Sequence, residues 1–206
     1  DLEKNIFSKL HKYSIDSEKK IGWDMWRLEN DSDPNHTTFV FTHLQPSLDQ
    51  VDSGWDSQTL FSKSELSLAQ EKMRSMVVDQ KTIMTTFKGG YAPIDDKPVE
   101  FVQLSFMNVD PTGQYDYEQM ELKNFMPAHK KNKLLKGWAL HRIVNPHPES
   151  GDDYITANFF DSMSDIYKNS NGVTKLTSQE KANYKEILNL RSMSKVEVFR
   201  LMVSVR

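Results

Sequence analysis

Two histidines recur in one local setting. Glu3 stands eight residues before His11, and Glu121 stands eight residues before His129. In a helix of about 3.6 residues per turn, that spacing leaves the two side chains roughly 80° apart on one broad face. A carboxylate and an imidazole so placed can act as an acid–base pair. The same residues also have a purely architectural reading. Each histidine is followed by a lysine, Lys12 or Lys130, near a helix C-terminus where the macrodipole favours a cation, while Phe7 and Phe125 fill the core.

A second group lies on two strand-like segments, Gly22-Trp23-Asp24-Met25-Trp26-Arg27-Leu28 and Gly137-Trp138-Ala139-Leu140-His141-Arg142-Ile143. Alternate side chains of a strand share a face, so Trp23, Met25 and Arg27 oppose Asp24, Trp26 and Leu28. In the same way Trp138, Leu140 and Arg142 oppose Ala139, His141 and Ile143. Trp26, Arg27, His141 and Arg142, with Arg200 near the C-terminus, are the ligand-binding candidates: guanidinium groups for a carboxylate or other anion, His141 as a base or ligand. The alternative is that the tryptophans anchor packing and the arginines pair with acidic groups.

Other chemistries find less support. The histidines at 11, 36, 43, 129, 141 and 147 include no His-x-His or His-Glu-x-x-His spacing, so no metal site is expected. The absence of cysteine removes disulfides, thiolate metal sites and a cysteine nucleophile. No cofactor is expected; haem held by His43, His129 or His141 is the one version left open. No glycine-rich phosphate loop is present, and Gly89-Gly90 reads as part of a flexible linker over 88–98. Asn30-Asp31-Ser32 matches a glycosylation pattern but reads as turn residues.

Composition sets the outer limits. The chain has 206 residues, 37% of them hydrophobic, which is enough for a packed core. Its 26 basic and 29 acidic side chains give a net charge of −3, too near neutral for a general nucleic-acid or anionic-membrane footprint. No stretch approaches the roughly 20 apolar residues of a membrane span. The lack of cysteine slightly favours an extracytoplasmic location over a cytoplasmic one.

The elements that must carry these residues come in two copies. Leu2-Glu3, Phe7 and His11-Lys12 return as Met120-Glu121, Phe125 and His129-Lys130, at an offset of 118. The Gly-Trp strands are 115 apart, as are the helix-start signatures Ser62-x-x-Glu65 and Thr177-x-x-Glu180, each a capping box. Arg74-Ser75-Met76 returns as Arg191-Ser192-Met193. The second copy reads as strand (Val99–Val109), helix (about 114–132), strands Gly137–Asn145 and Tyr154–Phe160, helix (Ser178–Leu190) and strand (Val196–Val203). That β-α-β-β-α-β order is the ferredoxin-like unit. The expected division is a first repeat over 1–87, a linker over 88–98 and a second repeat over 99–206. The first repeat lacks its opening strand, which implies about 15–20 further residues before Asp1.

A strand ending in Val109-Asp110-Pro111-Thr112-Gly113, a helix with Glu121 and Pro127-Ala128-His129, and then Lys136-Gly137-Trp138-Ala139-Leu140-His141-Arg142 resembles the dimeric α/β-barrel superfamily. Its relatives include antibiotic-biosynthesis monooxygenase-like domains and many bacterial proteins. The resemblance implies an α+β fold in which tandem ferredoxin-like units pair their sheets into one intramolecular barrel, a monomeric pseudo-dimer. The expected function is binding of a small organic or anionic ligand inside that barrel. Two alternatives stand beside it: a cofactor-free monooxygenase-like or haem-linked enzyme, and a protein-interaction module.

Overall fold

The computed structural model describes residues 2–51, 60–92, 98–145, 151–171 and 176–206. Among these residues the fold is mixed α+β, with seven antiparallel strands: β1 Gly22–Leu28, β2 Phe39–Leu44, β3 Thr85–Tyr91, β4 Phe101–Val109, β5 Gly137–Ile143, β6 Tyr154–Phe160 and β7 Arg191–Val205. The helices are α1 Ser8–Asp16, α2 Lys63–Met76, α3 Gln114–Met120, α4 Met126–Lys131, α5 Met163–Asn171 and α6 Ser178–Leu190. A π-helical turn, Glu3–Phe7, leads into α1, and another, Glu121–Phe125, joins α3 to α4. Among the described residues no helix is long and apolar enough to cross a membrane.

The chain divides into two compact units. The first comprises residues Asp1–Arg27, Asp33–Thr82 and Leu201–Arg206; the second comprises Leu28–Ser32 and Ile83–Arg200.

In the second unit the strands lie in the order β7-β4-β6-β5-β3. Alternation explains the layering: Phe101, Met107, Val109, Trp138, Leu140, Tyr154 and Phe160 pack into one core with Tyr117, Met120, Ile166 and Ile187 from the helices. A smaller apolar cluster, Phe106, Ile143 and Ile155 with Leu104, forms separately. Helix α6 starts where the capping box placed it, with the Thr177 hydroxyl accepting from the Glu180 amide and the Glu180 carboxylate accepting from the Thr177 amide. We expect Thr177→Ala to lower unfolding stability by about 1 kcal/mol in urea titration, because it exposes an unsatisfied amide of the first turn. An unchanged midpoint would show the cap to be idle.

The linker expected over 88–98 is corrected at its start. Lys88, Gly89, Gly90 and Tyr91 belong to β3, which pairs with β5 from Thr85↔Ile143 to Tyr91↔Trp138, with a bulge between Phe87 and Gly89. Residues 93–97 of that stretch lie outside the described residues. Two asparagines hold strand-end backbone within the second unit. The Asn145 side chain accepts from the Met84 amide, and the Asn30 side chain accepts from the Val198 amide. Asn30 is thus a turn residue with a defined partner.

The first unit holds α1, β1, β2, α2 and the tail of β7. Strands β1 and β2 pair from Gly22↔Leu44 to Arg27↔Phe39. Helix α2 begins at the other capping box, Ser62 with Glu65. At the C-terminus, the Arg206 guanidinium reaches back to the buried Asp24 carboxylate at 2.8 Å, which gives that inward-turned charge a partner.

Candidate functional site

Helix α1 ends in a hydrogen-bonded reversal. The Ser17 and Lys19 amides donate back to the Tyr13 and Ser14 carbonyls, and Glu18 adopts φ 58°. Left-handed backbone at a non-glycine residue is costly, and here it turns the chain sharply enough to fold Lys20 back over the helix end. Lys20 Nζ lies 3.2 Å from His11 Nδ1 on α1 and 3.2 Å from His43 Nδ1 on β2. His43 is opposite Trp23 in the β1–β2 register, so the two side chains share a sheet face. The Trp23 ring is the floor of the cluster: His11 stacks on it at 4.1 Å and 17°, and Phe41 stacks at 6.0 Å. The indole N–H of Trp23 is buried without an acceptor among the described residues.

Burial sets the electrostatics. His11, at 2% exposure, is held neutral at a pKa of about 2 by loss of water and then by the nearby Lys20 and His43. His43 stands open on β2, but its ring loses water where it meets the cluster, and that desolvation, followed by Lys20, brings it to about 4. Lys20 is 8% exposed, and burial lowers its amine to about 8. Near pH 8 the cluster therefore contains two neutral imidazoles and an amine at the edge of deprotonation. These groups can stack an aromatic ligand, bind an anion or accept a proton.

Desolvation disfavours the cationic form of both histidines, although His129 does lie in the last turn of α4. His129 stacks on Trp138 at 5.6 Å and 25°, and desolvation lowers it to about 4, so both histidines are neutral stacking partners of a tryptophan. Of their carboxylate companions, Glu121 is buried beside Tyr117 and Arg191, and Glu3 is partly buried; burial raises both.

Within the second unit, His141 and Arg142 do not converge on one point. His141 and Arg142 are consecutive in β5 and so face opposite sides of the sheet. His141 lies 3.3 Å from the Thr85 hydroxyl and meets Phe87 edge-on at 5.6 Å. Arg142 donates to Gln114 at 2.6 Å in an open groove of about 450 Å³ that is also lined by Lys88 and Asp153. Arg200 pairs with Glu29 at 3.3 Å and lies over the Phe101 ring. Trp26 donates to Thr42 at 3.3 Å, and Arg27, also on β1, is partly buried. Among the described residues no group of three or more His, Asp or Glu side chains is placed to hold a metal ion.

Composition and motif spacing do not single out Lys20, and they give His43 only a haem option; the signal that does point to both is the offset of 115, which aligns Lys20 with Leu135 and His43 with Asn158.

Its fold is shared with solved α+β proteins. A protein from Lactobacillus acidophilus NCFM named as a "putative monooxygenase" aligns over 97% of this chain and 86% of its own, with a TM-score of 0.57 and 9% identity. Another of that name, from Fusobacterium nucleatum subsp. nucleatum ATCC 25586, aligns over 99% and 88%, with a TM-score of 0.60 and 6% identity. An anthrone oxidase-like protein aligns over 98% and 86%, with a TM-score of 0.55 and 11% identity. No family model and no curated protein sequence matches the chain. At these identities the likeness establishes the fold, and function has to come from the site.

Proposed function

We propose that this chain is a tandem duplication of one β-α-β-β-α-β unit, and that its first copy binds a small aromatic molecule bearing an anionic or carbonyl group at Lys20 and His43, beside the exposed Phe41 ring that stacks on Trp23. Three features support the duplication. The β1–β2 and β5–β6 pairings have the same register at an offset of 115, Gly22↔Leu44 against Gly137↔Phe159. The π-helical turns Glu3–Phe7 and Glu121–Phe125 are 118 apart. The drift between the two offsets is the length of helix after that turn, nine residues in α1 and six in α4.

One observation carries the functional reading: a buried lysine amine set between two imidazoles, beside a tryptophan whose N–H has no acceptor among the described residues. The second copy serves as an internal comparison. There His129 still stacks on Trp138, but Leu135 and Asn158 occupy the positions of Lys20 and His43. A position kept only for packing needs no buried amine, as Leu135 illustrates. Titration with a hydroxybenzoate and with an anthrone, followed by tryptophan fluorescence, tests the assignment. Lys20→Met is expected to weaken binding by about tenfold or more, the loss of one charge-assisted hydrogen bond. Equal affinity in the variant would sink it.

A second reading, cofactor-free oxygenation, is favoured by the names of the solved proteins that share the fold. In it a neutral base of the cluster takes a proton from an electron-rich phenol or enol, which then reacts with dioxygen. Oxygen uptake with the anthrone probe is the corresponding measurement.

A further inference from the structure

We propose that Lys20 is a nucleophilic amine that condenses with a carbonyl-bearing ligand to form an imine, with His43 carrying the proton; this rests on the binding site assigned above. The geometry supports it first. A neutral amine has two N–H donors, and two imidazole nitrogens lie 3.2 Å from Nζ, so –NH₂ satisfies both acceptors and still carries a lone pair. Donation to Nδ1 also fixes each imidazole as the Nε2–H tautomer.

The approach is the second support. His43 and Phe41 are the exposed members of the cluster, so this side of β2 is the approach for a small carbonyl compound, with its ring beside Phe41 and its carbonyl toward the amine that His43 contacts. Desolvation of the amine then favours its reactive, unprotonated form, in line with its lowering to about 8.

The second copy is the third support. It keeps the stacked histidine and tryptophan but has neither the amine nor the second imidazole. Both groups needed for addition and proton transfer are thus confined to one copy.

The step balances without an oxidant. The Nζ lone pair adds to the carbonyl carbon as the C–O π pair moves to oxygen. His43 Nδ1 accepts the proton leaving nitrogen and returns it to that oxygen, giving a carbinolamine. Expulsion of water then leaves the C=N bond.

The experiment uses the full chain with 4-carboxybenzaldehyde and cyanoborohydride, which reduces an imine to a stable secondary amine, followed by peptide mass spectrometry. At pH 8 we expect Lys20 to be modified at least about tenfold faster than the exposed Lys9, Lys63 and Lys181. His43→Asn, which installs the residue found at the equivalent place in β6, is expected to slow labelling of Lys20 by about tenfold and leave the exposed lysines unchanged. Labelling of Lys20 no faster than at the exposed sites overturns the inference. If the hydroxybenzoate or anthrone still binds in a Lys20-dependent way, the binding function survives that failure; if neither binds, both readings fall together. The wild-type selectivity is measured independently of whether the variant folds.

Discussion

Gly90→Ala is expected to destabilise the protein by about 2–4 kcal/mol, with the loss centred on the β3–β5 pairing. A Cβ at Gly90 would overlap the backbone carbonyl oxygen of Trp138 and lie 2.9 Å from the Ala139 Cα. Both atoms belong to the ladder itself, so relief requires moving one strand relative to the other. The neighbouring position supplies the contrast. At Gly89 the added Cβ meets the tip of the Leu122 side chain, which can swing to another rotamer, so Gly89→Ala should cost less than half as much. Urea unfolding followed by circular dichroism measures both, and amide exchange along 85–91 shows whether the loss is local. If Gly90→Ala unfolds within about 0.5 kcal/mol of the parent chain, the close approach of the two backbones is wrong.

The second large effect concerns Glu121, which is 5% exposed in the core of the second unit. Burial raises its carboxyl to about 7, while the nearby Arg191 and Tyr117 hold it partly down. The folded pKa is therefore above the ordinary value of 4.5. Below about pH 4.5 both folded and unfolded chains carry the proton, and the stabilising contribution is complete. As pH rises toward 7 the unfolded chain releases the proton while the folded chain retains it, so stability falls, by about 3 kcal/mol across the window. Glu121→Gln keeps the shape without the titration. It should flatten this part of the stability profile and make the variant more stable than the parent at pH 8, with little difference at pH 4. Parallel profiles for the two proteins would show that Glu121 does not titrate in this range.

Much of the architecture was readable because its causes are local. The capping boxes at Ser62 and Thr177 fix helix starts through residues three apart, and helix α6 occupies Ser178–Leu190 as its pattern required. Alternation correctly separated Trp138 and Leu140 from His141 and Ile143. Gly89-Gly90 shows where local reasoning fails. Two glycines signal conformational freedom when read along the chain, yet here the absence of a side chain is used for close approach of β3 to β5, a partner some fifty residues away.

The site divides in the same manner. The paired histidines and tryptophans are legible along the chain, since similar segments display them at offsets of 118 and 115. Their charge state was decided by tertiary structure: helix-end geometry alone argues for cations, while stacking on a buried indole removes the water a cation needs. Lys20 and His43 met only in the folded chain, because their approach depends on the β1–β2 register and on the turn at Glu18. A sequence records which residues can do chemistry; which of them lose solvent together is a property of long-range packing, and at this site that loss lowers the Lys20 amine toward its neutral form.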